Sequence, residues 1–165
     1  MNFKRMINHL FYPGWWLRRD FPPAELTKIE SAIKASESKH SGEIRFAIES
    51  ALPLKALWQN ESTTERSLEV FSLLRVWDTE DNNGVLIYLL LADHKIEITA
   101  DRNINKVVPD GEWQRICQII ESHFKAGRFG DGVVHGIGEI SQLLENHFPI
   151  GESDKNELSN KPVVL

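Results

Sequence analysis

The stretch Asn82-Asn83-Gly84-Val85-Leu86-Ile87-Tyr88-Leu89-Leu90-Leu91-Ala92-Asp93-His94-Lys95-Ile96-Glu97-Ile98-Thr99-Ala100-Asp101 decides the fold. Asn82-Asn83-Gly84 breaks the chain. Val85 to Ala92 is then apolar at every position, as a central strand covered on both faces should be. Asp93-His94 reads as a tight turn. Lys95 to Asp101 alternates, with Ile96, Ile98 and Ala100 on one face. The two runs predict an antiparallel hairpin.

Upstream, Ser62-Thr63-Thr64-Glu65 is a capping-box pattern and predicts a helix to about Val76, with Val70, Phe71 and Leu74 inside. Leu52 to Asn60 is a longer connection containing Pro53 and Trp58. Glu43 to Ser50 alternates, Ile44, Phe46 and Ile48 against Glu43, Arg45 and Glu49, which predicts a strand with one buried face. Phe21-Pro22-Pro23 opens a helix striped by Leu26, Ile29 and Ile33 that ends near His40-Ser41-Gly42. Downstream, Asp110 is placed to cap a helix carrying Trp113, Ile116, Ile120 and Phe124, ended by Gly127. A last helix runs from about Asp131 to His147, stopped by Pro149. The order αβαββαα predicts an α/β fold, a three-layer α/β/α sandwich with a small mixed sheet.

The chain has 165 residues, 41% of them hydrophobic, with 19 Lys plus Arg against 24 Asp plus Glu, for a net charge of −5. That suits one folded domain. The single cysteine excludes an intrachain disulfide framework, and the acidic balance argues against nucleic acid as a partner. Three parts are expected: a basic aromatic segment over 1–20, a domain over 21–148 and a flexible polar tail over 149–165. The first carries +3 and the tail −1, which leaves −7 on the domain. No apolar run approaches the ~20 residues of a spanning helix, and residues 1–16 lack a signal-peptide core. A cytoplasmic location is expected. Phe3, Met6, Ile7, Leu10 and Phe11 recur at helical spacing before Tyr12, Trp15 and Trp16. Two readings of them stay open: packing on the domain or on a second protomer, or peripheral contact with the inner membrane.

A crossover helix between Glu43–Ser50 and Val85–Ala92 makes those strands parallel. His40, Glu43, Asp78, Glu80, Asp81, Asn82, Asn83 and Asp101 are then expected at one sheet edge. Oxygen ligands with few balancing cations suit Ca²⁺ or Mg²⁺, which gives Glu43, Asp78, Asp81, Asn83 and Asp101 as candidate metal ligands. The alternative is a polar loop whose carboxylates cap backbone amides. Asp78 to Gly84 is not an EF-hand: the glycine stands one position late and Leu89 takes the place of the bidentate Glu. Cys117 lies in an apolar stripe, and Gly130, Gly132, Gly136 and Gly138 make no phosphate loop. His123, His135 and His147 offer no i, i+4 ligand pair, and no serine-nucleophile elbow is present.

Val76-Trp77-Asp78-Thr79, Asn83-Gly84-Val85-Leu86-Ile87-Tyr88 and Lys95-Ile96-Glu97-Ile98-Thr99-Ala100-Asp101-Arg102 resemble the core of the TPM domain. So does Trp113 with the downstream run Phe124-Lys125-Ala126-Gly127-Arg128-Phe129-Gly130-Asp131-Gly132. The resemblance spans roughly residues 21–148 and implies an α/β/α sandwich. It also implies a divalent-ion site, calcium in some members, and an acid-phosphatase activity associated with thylakoid-lumen relatives. Many relatives carry a signal peptide and a membrane or Gly-rich tail, which are not expected here. Where many have a Gly-Tyr-Gly-like turn, this chain has Asp101-Arg102-Asn103. It resembles the soluble bacterial-type branch. Two functions remain open: a divalent-ion-binding interaction module with an unidentified protein partner, or a metal-dependent acid phosphatase.

Overall fold

The computed structural model describes residues 3–151 and 155–165. Two short helices, α1 (Phe3–Leu10) and α2 (Trp15–Asp20), precede α3 (Pro23–Glu37). Strand β1 (Glu43–Glu49) leads through α4 (Leu54–Trp58) and α5 (Thr63–Leu73) to the hairpin β2 (Gly84–Leu90) and β3 (Lys95–Ala100). Then come α6 (Arg102–Asn105), α7 (Glu112–Lys125), α8 (Phe129–His147) and β4 (Val163–Val164). The sheet order is β3-β2-β1-β4. β2 and β3 are antiparallel, while β1 is parallel to both β2 and β4. The mixed sheet between helical layers bears out the expected α/β architecture.

Alternation along the strands feeds two cores. Ile44, Phe46, Ile48, Val85, Ile87 and Leu89 pack against α3, α7 and α8. Ala47, Leu86, Tyr88 and Leu90 pack on the other face with Val70 of α5 and with Leu52 and Leu57. The capping box of α5 forms in both directions between Ser62 and Glu65. α7 differs from expectation: Gly111, at φ +84°, takes the N-cap position expected of Asp110.

Two further expectations are corrected. β1 is buried on both faces, Glu43, Arg45 and Glu49 included. Glu49 tolerates burial because Arg66 of α5 donates to it at 2.8 and 2.9 Å and the Tyr88 hydroxyl donates at 2.6 Å. Burial and that carboxylate raise the Tyr88 pKa well above the ordinary phenol. The expected flexible tail is instead anchored over 155–165. Val163 and Val164 pair with Ala47 and Ile48, and Leu158 packs on the second core. An unpaired β1 edge attracts exactly such a partner strand; here the chain supplies its own. Residues 152–154 of that tail lie outside the described residues. Among those described, no helix is long and apolar enough to cross a membrane.

Candidate functional site

The parallel register sets Glu43 opposite Gly84, and the Asp101 amide donates to the Gly84 carbonyl at 2.9 Å. The Glu43 amide donates to the Asn83 carbonyl at 3.1 Å, and the Asn103 side-chain amide donates to the Asp81 carbonyl at 2.6 Å. The expected edge therefore exists. Gly84 is required there, because a Cβ at that position would stand 2.0 Å from the Val76 carbonyl oxygen.

The five candidate ligands do not share one orientation. The Glu43 carboxylate accepts the Glu157 and Leu158 amides at 2.9 and 3.1 Å, so it holds the C-terminal segment. Asp78 is exposed, with Arg75 Nη1 3.8 Å away. Asp81 is exposed and lines an open hollow of about 320 Å³ with Ser41, Glu80, Pro149, Lys155 and Glu157. Asn83 is 2% exposed: its Nδ2 donates to the Ser41 carbonyl, and its Oδ1 is buried without a hydrogen-bond partner. Asp101 is 8% exposed: Oδ1 accepts the Arg102 amide at 2.6 Å as N-cap of α6, and Oδ2 is buried without a partner. His40 is fully buried and its backbone bridges Pro149. Among the described residues, no three His, Cys, Asp or Glu side chains gather closely enough to hold a metal by themselves.

A second polar cluster, absent from the sequence reading, lies along the same edge. Glu37 at the end of α3 accepts the Ile44 amide at 2.9 Å and the Asn160 side-chain amide at 2.6 Å. Burial pushes its carboxyl up to about 7, with the nearby Glu43 charge adding to the rise. Burial also lowers the pKa of neighbouring Arg45, whose Nη1 has no hydrogen-bond partner. Only the fold joins Glu37 to Asn160, 123 positions apart, so no local pattern signals the pair. His123 and His135, which offer no i, i+4 ligand pair in sequence, stand 3.0 Å apart across α7 and α8.

The fold and this edge define a small α/β/α domain with a mixed sheet and a polar corner at the start of its central strands. A family model, described as the TPM domain, matches residues 20–143. The chain belongs to the TPM domain family. It is similar to the BA42 protein of the psychrophilic bacterium Bizionia argentinensis, whose NMR structure aligns at 33% identity with a TM-score of 0.76. That alignment covers 86% of this chain and 93% of that one. The solution structure of the N-terminal domain of a protein from P. gingivalis shares the fold at 21% identity and a TM-score of 0.60, covering 76% of this chain and 77% of that one. No curated protein matches.

Proposed function

We propose that this TPM-domain chain is a divalent-ion-binding interaction module whose ion is held by Asp101 Oδ2 and Asn83 Oδ1. One observation carries the reading: Asp101, whose amide bonds Gly84, and Asn83, the residue before Gly84, each bury a side-chain oxygen that has no hydrogen-bond partner. Leaving a buried polar group unpaired costs about 1–3 kcal/mol, and more for a charge, so such groups call for a partner. Oxygen donors select a hard cation, Ca²⁺ or Mg²⁺. With one or two protein carboxylates at hand, the ion keeps several waters, as Mg²⁺ commonly does. Glu43 is removed from the ligand set because the C-terminal segment occupies it.

A phosphatase reading lacks comparable support. Arg102 is largely exposed, and His40 is buried at a backbone bridge.

Calorimetric titration of Ca²⁺ and Mg²⁺ into chelator-treated protein tests the proposal. Asp101→Asn keeps a competent N-cap and removes the charge, so it is expected to weaken binding at least tenfold. Asp78→Asn is expected to bind as the wild type does. A silent wild-type titration, or an Asp101→Asn variant of unchanged affinity, overturns the assignment. Phosphomonoester hydrolysis that depends on an added divalent ion and is lost in Asp101→Asn would instead favour the enzyme.

A further inference from the structure

The N-terminal segment is joined to the domain by half-buried and buried polar contacts. Arg5 reaches Asp93, in the β2–β3 turn, with Nη2 at 2.6 Å and Nε at 3.0 Å, and donates through Nη1 to the Glu61 carbonyl at 2.6 Å. His9 is 4% exposed; its Nδ1 accepts the Leu52 amide at 2.9 Å. An amide only donates, so Nδ1 is unprotonated and Nε2 carries the hydrogen bonded to Asp93 at 2.9 Å. Burial pushes the Asp93 carboxyl up, but the bonds from Arg5 and His9 outweigh it and hold the pKa below the ordinary value.

This clamp has a geometric result. Leu52 precedes α4 and Glu61 follows it, so α1 is held beside α4. α1 turns His9 inward and leaves Phe3, Ile7 and Leu10 exposed, and Phe11, just after it, is 73% exposed. Trp15 of α2 is also exposed. α4 buries Ala56 and Leu57 while leaving Leu54 and Trp58 exposed, Trp58 by 72%. Lys4, Arg18 and Lys55 are exposed among these apolar groups. Arg19 lies over the Trp16 ring at 4.9 Å and the Trp15 ring at 5.6 Å.

We infer that α1, α2 and α4 together form a surface that docks on an anionic phospholipid bilayer. The composition decides between lipid and protein. Lysine is depleted in the core of a protein interface. Here Lys4, Lys55 and Arg18 are interleaved with the aromatics, the arrangement that suits headgroups beside the acyl boundary. Arg5 is paired with Asp93 and Arg19 with Asp20, so the cations offered to an anionic leaflet are the exposed Lys4, Arg18 and Lys55, on an otherwise acidic chain. The surface adjoins the Asp93 end of β2, whereas Asn83 lies at the other end. Seven strand residues at ~3.3 Å each separate them by roughly 20 Å. Docking is therefore independent of the ion site.

Co-sedimentation of the full chain with vesicles of phosphatidylcholine and phosphatidylglycerol (about 70:30), against pure phosphatidylcholine, tests this. The chain is expected to bind the anionic vesicles about tenfold more tightly, and added salt should weaken that binding. The double variant Phe11→Ser with Trp15→Ser is expected to lose about tenfold or more, and Leu54→Ser with Trp58→Ser several-fold. All four positions are exposed, and circular dichroism checks that the variants fold. Asp101→Asn is expected to sediment as wild type, which separates this result from that of the ion titration. Recovery of the wild type in the unbound fraction at every lipid composition overturns the inference. Unchanged binding in the Leu54→Ser, Trp58→Ser variant overturns the three-helix surface. Dimerisation that these substitutions abolish, without vesicle binding, makes a second copy the occupant and likewise overturns the lipid reading.

Discussion

Replacing Glu37 by Gln should change how stability depends on pH. In the fold this carboxyl is pushed from 4.5 up to about 7, chiefly by burial. A folded-state pKa above the unfolded value means that the native chain binds the proton more tightly. The associated stability is fully present below about pH 4.5 and is lost as pH rises through about 7. At 1.36 kcal/mol per unit, the shift corresponds to about 3 kcal/mol; partial exposure of the side chain screens this to roughly 1–3 kcal/mol. Glu37→Gln has no proton to lose. Relative to wild type it should therefore gain roughly 1–3 kcal/mol between pH 5 and pH 8. Urea unfolding followed by tryptophan fluorescence at four pH values measures this, and subtracting the two proteins removes the other titrating groups. A wild-type-minus-variant difference that stays constant from pH 5 to pH 8 would refute the reasoning. A gain at acid pH would contradict its sign.

Three further outcomes follow from the packing. Arg66→Met leaves the Glu49 carboxylate buried with only the Tyr88 hydroxyl, so urea unfolding should show a loss of about 3–5 kcal/mol. Removing residues 155–165 strips the Leu158 and Val163 contacts and the two amides held by Glu43. The combined loss is about 3–6 kcal/mol, read as a fall in Tm on the order of 10 °C. Burial pushes the Cys117 thiol up to about 12, so a disulfide reagent at pH 8 should label it slowly until the protein unfolds.

Much of the fold was legible because its signals are local. The uninterrupted apolar run Val85–Ala92 and the alternation after Lys95 name a hairpin, and a helical crossover makes β1 parallel to β2. Those pairings bring Asn83 and Asp101 to one corner. What the sequence withheld is where side chains turn once remote segments arrive. Glu43 reads as a ligand until Glu157 and Leu158, 114 and 115 positions away, donate their amides to it. Val163, Val164 and Leu165 offer only three apolar residues after a polar stretch, too few to signal a strand by period. Asp93 reads as a turn residue because its partners, Arg5 and His9, come from the other end of the chain. The exposed outer face expected of β1 failed for a similar reason: Arg66 and the C-terminal segment cover its carboxylates.

The ion assignment is tested most directly by titrating Ca²⁺, then Mg²⁺, into ¹⁵N-labelled chelator-treated protein and following the amide resonances. Saturable shifts are expected at Asn83, Gly84, Asp101 and Arg102, with Arg5, His9 and Asp93 unmoved and the response lost in Asp101→Asn. Absence of saturable shifts at Asn83 and Asp101, or shifts confined to exposed carboxylates such as Glu65 and Glu69, would contradict it.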